Sequence, residues 1–103
     1  MSKYGNKKTI VDNIVFDSAK EAARYSELKL LVKAGYIGGL VLQPKFPLVV
    51  NGVKVCTYIA DFSYTGKDGK VFIEDVKGVR TPMYSLKAKI FHALFPNLRI
   101  TEL

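Results

Sequence analysis

Cysteine is nearly absent from this chain: Cys56 stands alone among 103 residues. It cannot close an intrachain disulfide, and it rules out a zinc site built from several cysteines. A reducing, cytoplasmic setting is therefore expected. Long hydrophobic runs are lacking too. None approaches the ~20 apolar residues that span a bilayer, so no membrane partner is expected. "MSKYGNKK" carries basic residues with no apolar stretch behind it, and no secretory signal is visible. Acids are in short supply, with nine Asp and Glu against sixteen Lys and Arg and a formal charge of +7. Such an excess favours polyanions, nucleic acid ahead of an anionic membrane, because no amphipathic helix carries a strong basic face. A basic protein that is merely soluble is the plainer alternative. Repeats, low-complexity tracts and linkers are also missing. With 49% hydrophobic residues, the chain reads as one domain over 1–103, opening on a mobile polar tail at 1–8. Its length suffices to bury roughly two-thirds of the unfolded surface around a single core.

What is present organises into elements. In "TIVDNIVF", Asp12-Asn13 between two β-branched runs predicts a tight hairpin. "DSAKEAARYSELKLLVKAG" predicts a helix, with Ser18 and Glu21 as a capping box, Gly35 as its stop, and Tyr25, Leu28 and Leu31 or Val32 as its apolar stripe. Three strands are expected next. "LVLQPKFPLVV" ends at the hairpin signal Asn51-Gly52, "KVCTYIADFSYT" returns, and "GKDG" turns the chain into "KVFIEDVKG". Thr81 caps and Pro82 begins a second helix, "PMYSLKAKIFHALF", and "LRITEL" supplies a last short strand. The order is a leading hairpin, then αβββαβ.

The acids fall in unexpected places. "VFIEDVKG" asks for a buried sheet yet contains Glu74, Asp75 and Lys77, and an unpaired buried carboxylate costs several kcal/mol. Strand alternation puts Asp75 on one face with Val71, Ile73 and Lys77, and Glu74 on the other with Phe72 and Val76. In the preceding strand Asp61 shares a face with Ile59 and Ser63, opposite Ala60, Phe62 and Tyr64. An antiparallel register can set Asp61 beside Asp75. At 100° per residue, Glu21 lies on the buried stripe of the first helix with Tyr25, Leu28 and Val32; the capping box with Ser18 explains it equally well. Converging carboxylates repel unless a cation sits among them, and an all-oxygen set suits Mg²⁺ or Mn²⁺. Lys77 can reach the same centre to hold a water or steady phosphate charge. A structural Asp75–Lys77 pair is the plainer account of the same spacing.

An acid in one strand, then D/E-x-K in the next, with a Glu-bearing helix before and a basic helix after, resembles the PD-(D/E)xK nuclease superfamily. "FDSAKEAARYSELKLL", "LQPKFPL", "YIADFSY" and "EDVKG" look like small phage and prophage members grouped with Holliday-junction-resolvase-like endonucleases. The resemblance implies an α/β fold, a restriction-endonuclease-like αβββαβ core with a mixed sheet and an N-terminal β-hairpin. It implies a divalent-metal-dependent DNA endonuclease that resolves branched DNA, with Asp61 as first acid, Asp75 as the D/E, Lys77 as the lysine and Glu21 as the helix acid. It further implies Mg²⁺ or Mn²⁺ held by Asp61, Asp75, the Val76 carbonyl and Glu21, and a homodimer, since resolving a junction takes two symmetric cuts. Ala60 stands where the motif has Pro. A bulge would bring Glu74 in place of Asp75. The alternatives are a nicking or double-strand endonuclease of this fold, or a basic nucleic-acid-binding module without catalysis.

Weaker candidates surround these. Gln43, before Pro44, sits near the predicted site and could meet phosphate or water, or simply end a strand. Arg80, Lys87 and Lys89 could hold backbone phosphates, or belong to a solvated helix face. His92, opposite Met83 and off the presumed core face, reads as surface, and Cys56 as a small strand residue.

Overall fold

The computed structural model describes residues 8–77 and 80–103; apart from Lys8, the expected tail lies outside them. The leading hairpin pairs β1 (Thr9–Val11) with β2 (Ile14–Phe16) in antiparallel register. Asp12 and Asn13 turn it with φ of 53° and 63°, the left-handed pair that a two-residue hairpin needs and that Asp and Asn tolerate best. Helix α1 (Ala19–Lys33) begins where Ser18 Oγ accepts the Glu21 N–H at 3.1 Å, and stops before Gly35 at φ 82°. Ala22, Tyr25 and Leu28 are its buried stripe.

Two of the expected long strands each break in two. "LVLQPKFPLVV" becomes the end of β3 (Ile37–Leu42) and all of β4 (Lys45–Val50), while its partner becomes β5 (Val53–Ile59) and β6 (Phe62–Gly66). The cause is local. Gln43 takes φ 50° and Pro44 has no N–H for a ladder. Pairing nevertheless crosses the break, since Gln43 N–H donates to the Asp61 carbonyl at 2.9 Å and Ala60 N–H to the Pro44 carbonyl at 3.1 Å. The ribbon bends at one point, and Asp61 lies at the bend.

Antiparallel β3, β6 and β7 (Val71–Asp75) form a four-stranded sheet with β8 (Ile100–Glu102), which runs parallel to β7; β4 and β5 form a separate antiparallel pair. Helix α2 (Pro82–Leu94) makes the crossover, with Pro82 in its first turn and Thr81 Oγ1 accepting the Tyr84 N–H at 3.1 Å. The chain is thus a mixed α/β domain with a mixed sheet and, among the described residues, two helices. No helix of the described residues is long and apolar enough to cross a membrane.

Alternation along β7 divides the core between two sides. Phe16, Ala22, Tyr25, Leu28, Phe62 and Tyr64 pack together on the α1 side, joined by Phe72 and Val76. Leu48, Tyr58, Ala60, Ile73, Tyr84, Ala88 and Phe91 pack on the α2 side. Fully buried residues such as Leu28, Phe62 and Phe91 each stabilise the fold by roughly 1.5–3 kcal/mol. Two expectations are corrected here. Ala60 does not share a side with Phe62, because the bend at Asp61 resets the alternation. Met83 is 61% exposed, and the core stripe of α2 runs through Tyr84, Ala88 and Phe91. His92 is exposed, as the sequence suggests.

Candidate functional site

The bend brings the strand acids together. Phe62 pairs with Glu74 and Ser63 with Ile73, so the next position along sets Asp61 opposite Asp75. The Asp61 N–H donates to the Glu74 carbonyl at 3.1 Å, which carries the ladder up to that point. Asp61 Oδ2 then accepts the Val76 N–H at 2.7 Å. Asp75, 1% exposed, has its Oδ2 bonded to the Tyr58 hydroxyl, and its Oδ1 lies 3.4 Å from Lys77 Nζ.

Glu74 points the other way. Arg24 of α1 grips it with two hydrogen bonds of 2.7 and 2.6 Å, and the Tyr64 hydroxyl adds a third. The strand therefore holds its phase without a bulge. Asp75 belongs with Lys77, and Glu74 is a structural anchor to α1. The Glu74 contact holds the Arg24 guanidinium above its usual range, and burial followed by Glu74 pushes the Tyr64 phenol up to about 12.

Glu21 faces the site from α1 without joining it directly. Among the described residues its carboxylate has no hydrogen-bond partner; only its backbone N–H serves the cap. Burial, then the charges of Asp61, Asp17 and Asp75, raise its carboxyl from 4.5 to about 7 against the lowering effect of Lys77. Burial likewise raises Asp61 from 3.8 to about 6; Asp75 adds to this, while the Val76 N–H and Lys77 oppose it. These acids resist ionising together, the electrostatic condition a cation would relieve.

The donor set bears on which cation fits. Among the described residues no three His, Cys, Asp or Glu side chains converge closely enough to hold a metal ion between them. Asp61 and Asp75 as a pair, each with one oxygen already bonded to the protein, fit an ion that takes one or two carboxylates and keeps several waters, as Mg²⁺ does.

Sequence spacing could not find the groups that orient this pair. Tyr58 holds Asp75, and burial followed by that bond keeps its phenol well above the usual range. Tyr84 lies under Lys77, with Nζ 4.2 Å from the ring centroid, and donates its hydroxyl to Glu102 at 2.7 Å. The one available hint is that a buried tyrosine hydroxyl needs a partner. Lys87 reaches the Thr57 carbonyl at 3.0 Å and, with Thr57, Tyr58, Lys77 and Tyr84, lines an open cavity of about 240 Å³. Lys89 is exposed and lies about 200° around the helix from Lys87, so the two do not form one patch. Arg80 is exposed, 3.5 Å from Glu102 Oε2 and 5.5 Å from the Tyr84 ring. Gln43 meets the site through its backbone bond to Asp61, with its side chain exposed.

A family model described as protein of unknown function (DUF1064) matches residues 1–103. No curated protein and no solved structure matches the chain.

Proposed function

We propose that this chain, which belongs to the DUF1064 family, is a divalent-metal-dependent DNA endonuclease with a restriction-endonuclease-like core. The observation that carries the reading is the pairing of Asp61 with Asp75 at the strand bend, with Lys77 in phase beside Asp75. Asp61, Asp75 and the Val76 carbonyl would hold Mg²⁺ or Mn²⁺. When bound, such an ion supplies charge stabilisation to a phosphoryl group and lowers the pKa of a bound water. The protein's own groups do the rest. The Val76 N–H and the Tyr58 hydroxyl fix the two carboxylates, so little reorganisation remains for the reaction. The Lys77 ammonium, held only loosely by Asp75, is free to steady charge developing on a phosphate oxygen. A Glu21 carboxyl that titrates about 7 can accept a proton near neutral pH. The surplus of cations, +7 over the chain, suits the backbone of DNA. Branched DNA and a two-fold homodimer complete the proposal, since symmetric cutting needs two sites.

The test is cleavage of four-way junction, duplex and single-stranded DNA with Mg²⁺ or with EDTA. Junction cutting in Mg²⁺ and none in EDTA is expected, together with a dimer–junction complex in sedimentation. Equal cutting of plain duplex would shift the reading to a nicking or double-strand enzyme. Binding with no cutting in Mg²⁺ or Mn²⁺ would reduce the chain to a nucleic-acid-binding module.

A further inference from the structure

Tyr58 constrains how Asp75 can serve a cation. Its hydroxyl holds Asp75 Oδ2, and it cannot turn away easily. The residue is 2% exposed, and its ring is set among Phe46 at 6.0 Å, Phe91 at 5.4 Å and Tyr84 at 6.3 Å between centroids. Asp75 Oδ1 lies 3.4 Å from Lys77 Nζ, looser than the 2.7–2.9 Å typical of a charge-assisted hydrogen bond, and the Asp61 carboxyl is within hydrogen-bonding reach of Asp75. Across the bend the Val76 N–H takes Asp61 Oδ2 in the same way. Each carboxylate therefore has one oxygen already committed to a fixed protein donor.

From this we infer that Tyr58 is a positioning residue that sets cation choice, making Asp75 a single-oxygen ligand and favouring Mg²⁺ or Mn²⁺ over Ca²⁺. The inference rests on the metal site of the nuclease reading. Its chemistry is that of coordination number. Mg²⁺ accepts octahedral geometry with one or two single-oxygen carboxylates and several waters, whereas Ca²⁺ takes six to eight oxygens and commonly draws both from one carboxylate. For Asp75 to bind through both oxygens, the Tyr58 bond must break and leave a buried phenol without a partner, which is unfavourable. Removing the hydroxyl lifts that restriction.

Calorimetric titration of Mg²⁺, Mn²⁺ and Ca²⁺ into the wild-type chain, Tyr58→Phe and Asp61→Asn tests this without any cleavage assay. The wild type should favour Mn²⁺ over Ca²⁺, and Tyr58→Phe should narrow that ratio by about tenfold, the scale of one buried hydrogen bond. An unchanged ratio in a folded Tyr58→Phe chain overturns the inference while leaving the metal site standing. Wild-type binding no better than that of Asp61→Asn would remove the metal site, and the inference with it. Should Tyr58→Phe fail to fold, terbium luminescence lifetimes in H₂O and D₂O decide the matter on the wild type. Two single-oxygen ligands should leave about two more coordinated waters than two bidentate ones; the lower count overturns the inference.

Discussion

Two contacts of the Lys77 ammonium suggest different duties. Asp75 Oδ1 at 3.4 Å makes it a counter-charge, while the Tyr84 ring at 4.2 Å supports an ammonium whose side chain is 26% exposed. If it only neutralised Asp75, losing it would orphan a buried charge and cost roughly 3–5 kcal/mol. Tyr58 still holds Asp75 when Lys77 is gone, so a smaller loss of stability is expected. The larger effect should be on chemistry. Lys77→Ala should slow single-turnover cleavage by about 10²-fold, the scale of one lost transition-state donor, with junction binding little changed. A variant that melts far lower yet cleaves at the wild-type rate once folded would take Lys77 out of the reaction. On the proposed reading, Asp61→Asn and Asp75→Asn should each abolish Mg²⁺-dependent cleavage and leave DNA affinity within several-fold, because each removes a proposed anionic ligand and spares the basic surface. Cutting retained by either one removes that acid from the site.

Elements are joined here by a clamp on the far side of the same strand. Arg24 on α1 and Glu74 on β7 form a two-pronged pair, with side chains 25% and 3% exposed. Glu21 lies three residues before Arg24, close to one helical turn, so the clamp also sets where Glu21 stands relative to Asp61. Breaking the pair leaves the buried Glu74 with only the Tyr64 hydroxyl among these donors. Arg24→Ala should lower stability by about 3–5 kcal/mol, as read by urea denaturation, and adding Glu74→Gln to it should restore part of the loss. Glu74→Gln alone should keep most of the cleavage rate, since this carboxylate faces α1 and not Lys77. Loss of cleavage to the level of Asp75→Asn, in a folded Glu74→Gln chain, would mean that Glu74 takes part in the reaction.

At the scale of the whole molecule, the site opposes folding until something neutralises it. Glu21 and Asp61 hold their protons more tightly folded than unfolded, rising from 4.5 to about 7 and from 3.8 to about 6. The folded chain then binds more protons across that interval, so their contribution to stability is largest below the unfolded values and declines as pH rises toward about 7. Asp17, Asp61 and Asp75 face Glu21 with like charge, and Lys77 is the opposing cation. Thermal melts without metal should therefore show a declining component between about pH 4 and pH 7, shallower in Glu21→Gln. Saturating Mg²⁺ should offset the decline, because an ion bound only by the folded state stabilises it by mass action. A Glu21→Gln profile parallel to wild type would show that Glu21 does not titrate in this window.

Sequence alone determined what depends on neighbours along the chain. The Asp12-Asn13 turn, the Ser18 and Thr81 caps, the stop at Gly35 and the opposite facings of Glu74 and Asp75 all follow from local dihedral preference and a two-residue period. Asp61 could be set opposite Asp75 from strand pairing because a short turn leaves few registers. Other features were decided only in three dimensions. The split of two strands at Gln43 and Asp61, and the passage of Ala60 to the α2 side, come from a bend that two strands share. Arg24 meets Glu74 across 50 residues and Tyr58 meets Asp75 across 17. No local pattern encodes such meetings, since a buried carboxylate takes whichever donor the packing of α1 and β5 brings within hydrogen-bonding reach.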